Sequence, residues 1–164
     1  MCDIMENEQD FHTVRGYEIL KKNQGNLTPS MEDYLEMIYR YCLTEGYIRI
    51  NNLAKQLNVK ASSASKVAQK LSEMAYIHYE KYGIIQLTEK GKYIGEFLLT
   101  RHNTVETFLE NLGVENNVLV ETELIEHHLS LDTLEKIEIF NDFAIANPDI
   151  IKRLHQFEKK NEGP

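Results

Sequence analysis

The sequence predicts a mainly α-helical protein with a winged helix-turn-helix in its first half and an all-helical second half. Three observations lead there. Two short amphipathic patterns separated by a tight turn, around 53–57 and 61–74, carry small apolar residues on facing sides, as a helix-turn-helix requires. Directly after them, Ile77-His78-Tyr79-Glu80 and Ile84-Ile85-Gln86-Leu87 flank Lys81-Tyr82-Gly83 as the two strands of a β-hairpin, the wing. From Thr88 onward, apolar residues recur only at helical spacing.

Taken in order, residues 1–26 are polar, with a weak helical pattern in Phe11, Val14, Tyr17, Ile19 and Leu20, and read as an N-terminal extension. His12 within it reads as a solvated histidine. Thr28-Pro29-Ser30-Met31-Glu32-Asp33 is a helix start, with Ser or Thr as cap, Pro in the first turn and acids near the positive end of the dipole. That helix runs to about Thr44, with Leu35, Ile38, Tyr39 and Cys42 inward, and Gly46 ends it. Tyr47 to Ile50 is extended, Asn51 and Asn52 cap the next helix, and Asn58-Val59 turns the chain. The second helix, about Ala61 to Met74, turns Ala64, Val67, Ala68 and Leu71 inward and presents Ser62, Ser63, Ser65, Lys66, Gln69 and Lys70 outward. Hydroxyls, an amide and ammonium groups without acids suit a phosphate-lined groove with base edges at its floor, and Lys81 with Tyr82 on the wing could reach a neighbouring phosphate.

Thr88 then caps a long helix through Tyr93, Ile94, Phe97, Leu98, Val105, Phe108, Leu109 and Leu112. A short helix with Val120, Leu124 and Ile125 as its apolar stripe follows, then one from Leu131 to about Ala146 with Leu134, Ile137, Phe140 and Phe143 inward. A last helix opens at Asn147-Pro148 and carries Ile150, Ile151, Leu154 and Phe157. These three amphipathic helices have few internal partners, so a second copy of the chain is expected to cover them in a two-fold dimer.

The net charge of −8 opposes nucleic acid as a whole-chain sum, but the charges are unevenly placed. Between Tyr47 and Lys92 there are eight positive and three negative side chains, a local +5, which leaves −13 on the rest of the chain. No apolar run is long enough to span a bilayer and the first residues do not form a signal peptide, so a cytoplasmic protein without membrane contact is expected. The two cysteines, Cys2 and Cys42, match no zinc spacing and suggest no disulfide framework.

The acids gather in a second pattern. In Glu121-Thr122-Glu123-Leu124-Ile125-Glu126-His127-His128, helical geometry puts Glu123, Glu126 and His127 within roughly 100° of arc. Asp33 and Glu36 are likewise three apart upstream, and His102 stands between the two sets. Should they converge, up to four negative charges would meet, an arrangement that needs a cation. Each has a plainer explanation: Asp33 could complete a capping box with Ser30, and a single His102 is more often a surface or core histidine. Cys42, about 180° around the helix from Asp33, cannot readily join them.

These residues resemble the metal-dependent repressors of the diphtheria-toxin-repressor family, and within it the manganese transport regulators. The resemblance runs from about Leu27 to Lys160. It rests on Thr28-Pro29-Ser30-Met31-Glu32-Asp33-Tyr34-Leu35-Glu36, Tyr79-Glu80-Lys81-Tyr82, Leu87-Thr88-Glu89-Lys90-Gly91, Arg101-His102 and Ile125-Glu126-His127-His128-Leu129-Ser130. It implies a winged-helix DNA-binding domain at 27–92 and a helical metal-binding and dimerisation domain at 93–164. Asp33, Glu36, His102, Glu123, Glu126 and His127 would be the ligands, with Glu123 and Glu126 bridging two Mn2+ ions per subunit. Iron-type members of the family place methionine and cysteine where this chain has Asp33 and Glu123, and carboxylate oxygen favours hard ions over soft, so Mn2+ is expected ahead of Fe2+. The implied function is metal-gated binding of a homodimer to double-stranded operator DNA in repression of metal-uptake genes, without catalysis. Three other readings use the same residues: an iron-responsive repressor, a metal-independent winged-helix regulator that senses a small molecule, and a metallohydrolase, for which no separate general base, phosphate loop or nucleophile motif is found near the cluster.

Overall fold

The computed structural model describes residues 27–161, so the N-terminal extension and His12 lie outside the described residues. Within that range the chain forms two compact units, which divide between Leu99 and Thr100.

Helix α1 (Pro29–Glu45) opens the first unit, and its cap is Thr28, whose Oγ1 accepts from the Met31 backbone N–H at 3.3 Å. A capping-box partner would therefore stand at Met31, so Asp33 has no part in one. Met31, Tyr34, Leu35 and Ile38 are buried at i, i+3, i+4 and i+7 spacing. Complete burial of Leu35 and Ile38 contributes about 1.5–3 kcal/mol each. Gly46, at φ 77°, terminates the helix by donating its N–H to the Cys42 carbonyl.

Strand β1 is only Ile48–Arg49, and α2 (Ile50–Gln56) begins immediately after it with Arg49 as its N-cap. Asn51 and Asn52 are thus inside the helix and do not cap it. The start is fixed by the strand that feeds it, a pairing with no local signal. Asn58, at φ 52°, makes the turn into α3 (Ala61–Glu73), and the Val59 N–H closes back onto the Ala54 carbonyl at 2.9 Å. Leu53, Ala54, Ala64, Ala68 and Leu71 are buried, the alanines leaving room for close approach, while Val67 is only partly covered.

Strands β2 (Ile77–Tyr79) and β3 (Ile84–Leu87) form the hairpin, closed by a tight turn at Lys81–Gly83. Strand β1 adds antiparallel to β3, giving the order β1-β3-β2 with Ile48 opposite Ile85 and Tyr79 opposite Ile85 on the other side. Tyr82 at the tip adopts left-handed angles, φ 64° and ψ 17°, and is 90% exposed. Helix α4 (Glu89–Asn111) is held at its start by Thr88, whose Oγ1 accepts from the Gly91 N–H at 3.0 Å and lies 3.0 Å from the Tyr76 carbonyl it donates to. Lys90 donates to the Met74 carbonyl at 3.0 Å, with its ammonium 4.1 Å from the Tyr76 ring centroid.

Cys42, Tyr39, Leu43, Leu87 and Tyr93 line a cavity of about 260 Å3 in this unit. Burial pushes the Cys42 thiol up from its ordinary value, against smaller pulls downward from a backbone hydrogen bond to Leu87 and the Lys92 charge. A raised pKa means less thiolate at a given pH, so at pH 8 Cys42 is expected to react with a disulfide reagent more slowly than the same thiol in denaturant. Equal rates would show that the thiol is not sheltered.

The second unit contains the rest of α4, then α5 (Val118–Glu126), α6 (Leu131–Ala146) and α7 (Pro148–Asn161). Phe108 meets Phe140 edge-on, centroids 5.3 Å apart. Buried Asn141 donates to the Thr104 carbonyl at 2.9 Å and accepts from Asn111 Nδ2 at 3.1 Å. With both ends satisfied, Asn141 takes an inward place between Ile137 and Ala144, while Phe143, expected inside, is exposed. The stripe on α5 is reversed too: Val120 and Leu124 face outward, and Thr122 and Glu126 are the buried residues. Ile139, Ile145, Ile150, Leu154 and Phe157 are also exposed in the single chain. Among the described residues, no helix is long and apolar enough to cross a membrane.

Candidate functional site

The second unit builds a polar knot around Glu126. Its carboxylate is 1% exposed at the last turn of α5, and His127 follows as the C-cap. His102, buried on α4, places Nδ1 3.2 Å from Glu126 Oε2, and His127 places Nε2 3.8 Å from Glu126 Oε1. One carboxylate thus stands between two imidazoles. The His102 contact has the distance of an ion pair without the alignment of a hydrogen bond, and Oε2 accepts no directed hydrogen bond among the described residues. Thr122, one helical turn earlier, also has a buried hydroxyl without a hydrogen-bond partner among the described residues. Arg101, 6% exposed beside His102 on α4, donates from Nη2 to His127 Nδ1 at 3.1 Å.

An unsatisfied buried carboxylate oxygen is costly, and a divalent cation is the partner that two imidazoles and a carboxylate fit. The donor set therefore suits a divalent cation. Glu123 is exposed on α5, three residues before Glu126.

In the first unit, Asp33 and Glu36 lie on α1 past its first turn. Glu36 is buried, and its Oε1 accepts from Arg40 Nε at 2.9 Å and Nη2 at 2.7 Å. Cys42 belongs to the cavity described above. Arg40 was legible as an i+4 partner of Glu36 but was not singled out, whereas Arg101 meets His127 across 26 residues and Thr122 looked like an ordinary helix residue.

On α3, Ser62, Ser63, Lys66, Gln69 and Lys70 are exposed, as are Lys81 and Tyr82 at the wing. Ser65 differs: it is half-buried, and its hydroxyl lies 3.2 Å from the Tyr79 hydroxyl, tying α3 to strand β2.

Comparison with known proteins agrees with both halves. Residues 26–85 match the family model of the iron dependent repressor N-terminal DNA binding domain, and residues 88–155 that of the iron dependent repressor metal binding and dimerisation domain. The HTH-type transcriptional regulator MntR of Lysinibacillus sphaericus is 42% identical over 128 residues, 77% of this chain and 92% of that protein. MntR of Geobacillus thermodenitrificans is 42% identical over 136 residues, 82% of this chain and 96% of that protein. Among solved structures, the manganese regulator SloR matches with TM-score 0.63 and 28% identity, covering 71% of this chain and 55% of that one. The metal-dependent transcriptional regulator MtsR gives TM-score 0.64 and 29% identity with the same coverages, so this chain spans about half the length of these two structures. With a DNA-binding unit, a buried carboxylate between two imidazoles and these matches, the chain belongs to the diphtheria-toxin-repressor family of metal-dependent, DNA-binding transcriptional repressors, in its manganese-regulator branch.

Proposed function

We propose that the chain, as a homodimer, represses metal-uptake genes by binding their palindromic operators when Mn2+ is abundant. The observation that carries this is Glu126: a carboxylate buried between His102 and His127 with one oxygen lacking a hydrogen bond among the described residues. The ligands are Asp33, Glu36, His102, Glu123, Glu126 and His127, and two ions per subunit is the stoichiometry that so many carboxylates support. A bound divalent ion supplies the positive charge that lets these acids lie close together. Four carboxylates and no sulfur favour Mn2+ over softer ions, with Fe2+ as the competitor. Ser62, Ser63, Lys66, Gln69, Lys70, Lys81 and Tyr82 are the DNA contacts, and Ser65 joins them by its place on α3, its hydroxyl shared with Tyr79. The exposed Leu119, Val120 and Leu124 of α5 supply apolar surface for a second copy. Metal binding then sets the spacing of the two α3 helices in the dimer.

The test is fluorescence anisotropy with a palindromic promoter fragment, titrated with Mn2+ at fixed salt. Affinity is expected to rise at least about tenfold, the scale of ordinary allosteric coupling. Equal affinity with and without Mn2+, together with calorimetry finding no tight Mn2+ site, would favour a metal-independent regulator.

A further inference from the structure

We propose that Arg101 is a latch on His127: in the metal-free protein it occupies the imidazole, and it must let go before His127 can act as a ligand. The inference rests on the reading of His127 as a ligand and adds a positioning residue to that site. Its basis is a count of donors. A guanidinium has only N–H donors and stays protonated, so in the 3.1 Å contact between Arg101 Nη2 and His127 Nδ1 the ring nitrogen must be the acceptor. Neutral His127 then carries its proton on Nε2, the nitrogen on the Glu126 side at 3.8 Å from Oε1.

Neither ring nitrogen is available as a ligand in that state. If His127 is to ligate through Nε2, its proton must leave that atom and reappear on Nδ1, where it would face an Arg101 N–H, donor against donor. If it is to ligate through Nδ1, the Arg101 hydrogen bond occupies that lone pair. By either route the Arg101–His127 bond and ligation by His127 exclude one another. The contact is sheltered, since Arg101 is 6% exposed and the His127 side chain is 9% exposed. Arg101 also precedes His102 directly on α4, so one turn of helix holds both a ligand and the latch on another. In effect the chain supplies an internal cation beside the site, and an incoming ion must compete with it.

The full-length protein labelled with 15N-histidine tests this, with Cd2+ as a diamagnetic probe. Two-bond proton–nitrogen correlations are expected to show metal-free His127 in the single Nε2–H tautomer and to change at the ring nitrogens on Cd2+ saturation. In Arg101→Met the metal-free ring should lose that single tautomer. Its Cd2+ affinity should rise about tenfold, the scale of one charge-assisted hydrogen bond. Arg101→Lys, which keeps the charge and a donor, guards against misfolding and should retain the wild-type tautomer. A tautomer and affinity unchanged in Arg101→Met, while Cd2+ still moves the His127 signals of the wild type, would overturn the latch and leave the ligand reading standing. His127 signals unmoved by saturating Cd2+ in the wild type would overturn the ligand reading itself, and the latch with it.

Discussion

Glu126→Gln is expected to lower Mn2+ affinity by a hundredfold or more while leaving a folded protein whose metal-free form is at least as stable as the wild type. Second-sphere changes at metal sites already cost roughly 10- to 100-fold, and Glu126 is placed to touch the ion, so the loss should be at or beyond the top of that range. The stability expectation has the opposite sign for a physical reason. Glu126 is 1% exposed with one carboxylate oxygen lacking a directed hydrogen bond among the described residues, so a carboxylate there is poorly compensated unless a cation joins it. A neutral amide of the same shape removes that burden and can still donate to an imidazole nitrogen, a gain on the order of 1 kcal/mol. Calorimetric titration with Mn2+ and a thermal melt in chelator check the two halves separately. A variant that binds Mn2+ like the wild type would remove Glu126 from the ligand set; one that melts well below it would assign the residue to structure.

Gly91→Ala is expected to destabilise the DNA-binding unit by roughly 3 kcal/mol, although alanine is the better helix former. A Cβ at Gly91 would overlap the Tyr76 carbonyl oxygen and lie 2.9 Å from its carbon. The Tyr76 carbonyl is backbone and cannot swing aside, and it accepts from both the Thr88 N–H at 3.1 Å and the Thr88 hydroxyl at 3.0 Å. Helix propensity returns at most about 1 kcal/mol, so overpacking wins. In a unit of this size, each kcal/mol moves the melting temperature by about 4–8 °C, which makes a fall of more than about 10 °C the expected result. Gly95→Ala is a second case of the same kind, because its Cβ would stand 2.5 Å from Tyr39 Cβ, an atom fixed to its own backbone, so its melting temperature is expected to fall as well. A Gly91→Ala variant that melts like the wild type would show that the Tyr76 contact is not rigid.

Much of the DNA-binding unit could be read from local chemistry. Gly46, Asn58 and Thr88 sit where a helix must stop, turn or start, and each states its position through backbone angles or a side-chain cap that depend on neighbours in sequence. What could not be read was set by distant partners. The start of α2 shifted because Ile48 and Arg49 pair with Ile85 and Ile84, some 35 residues away. Asn141 displaced Phe143 from the interior because Thr104 and Asn111 on another helix satisfy its amide. Similar logic governs the site: the spacing of Glu126 and His127 was visible, but burial of their side of α5 and exposure of Val120 and Leu124 ran against the hydrophobic pattern. A polar face turned inward and an apolar face turned outward on α5 is the reverse of what the hydrophobic pattern by itself predicts. Arg101 was visible only as the neighbour of His102, because its contact depends on which nitrogen of a remote ring it faces.

The tip of the hairpin carries a tension of its own. For a residue with a Cβ, left-handed backbone angles are disfavoured by about 1–2 kcal/mol, and Tyr82 has no burial to compensate them. A glycine or asparagine there would relax the isolated protein. On the DNA contact proposed for Tyr82, the ring's return comes from outside the fold, so at this position durability and grip pull against each other, and any change that favours one is taken from the other.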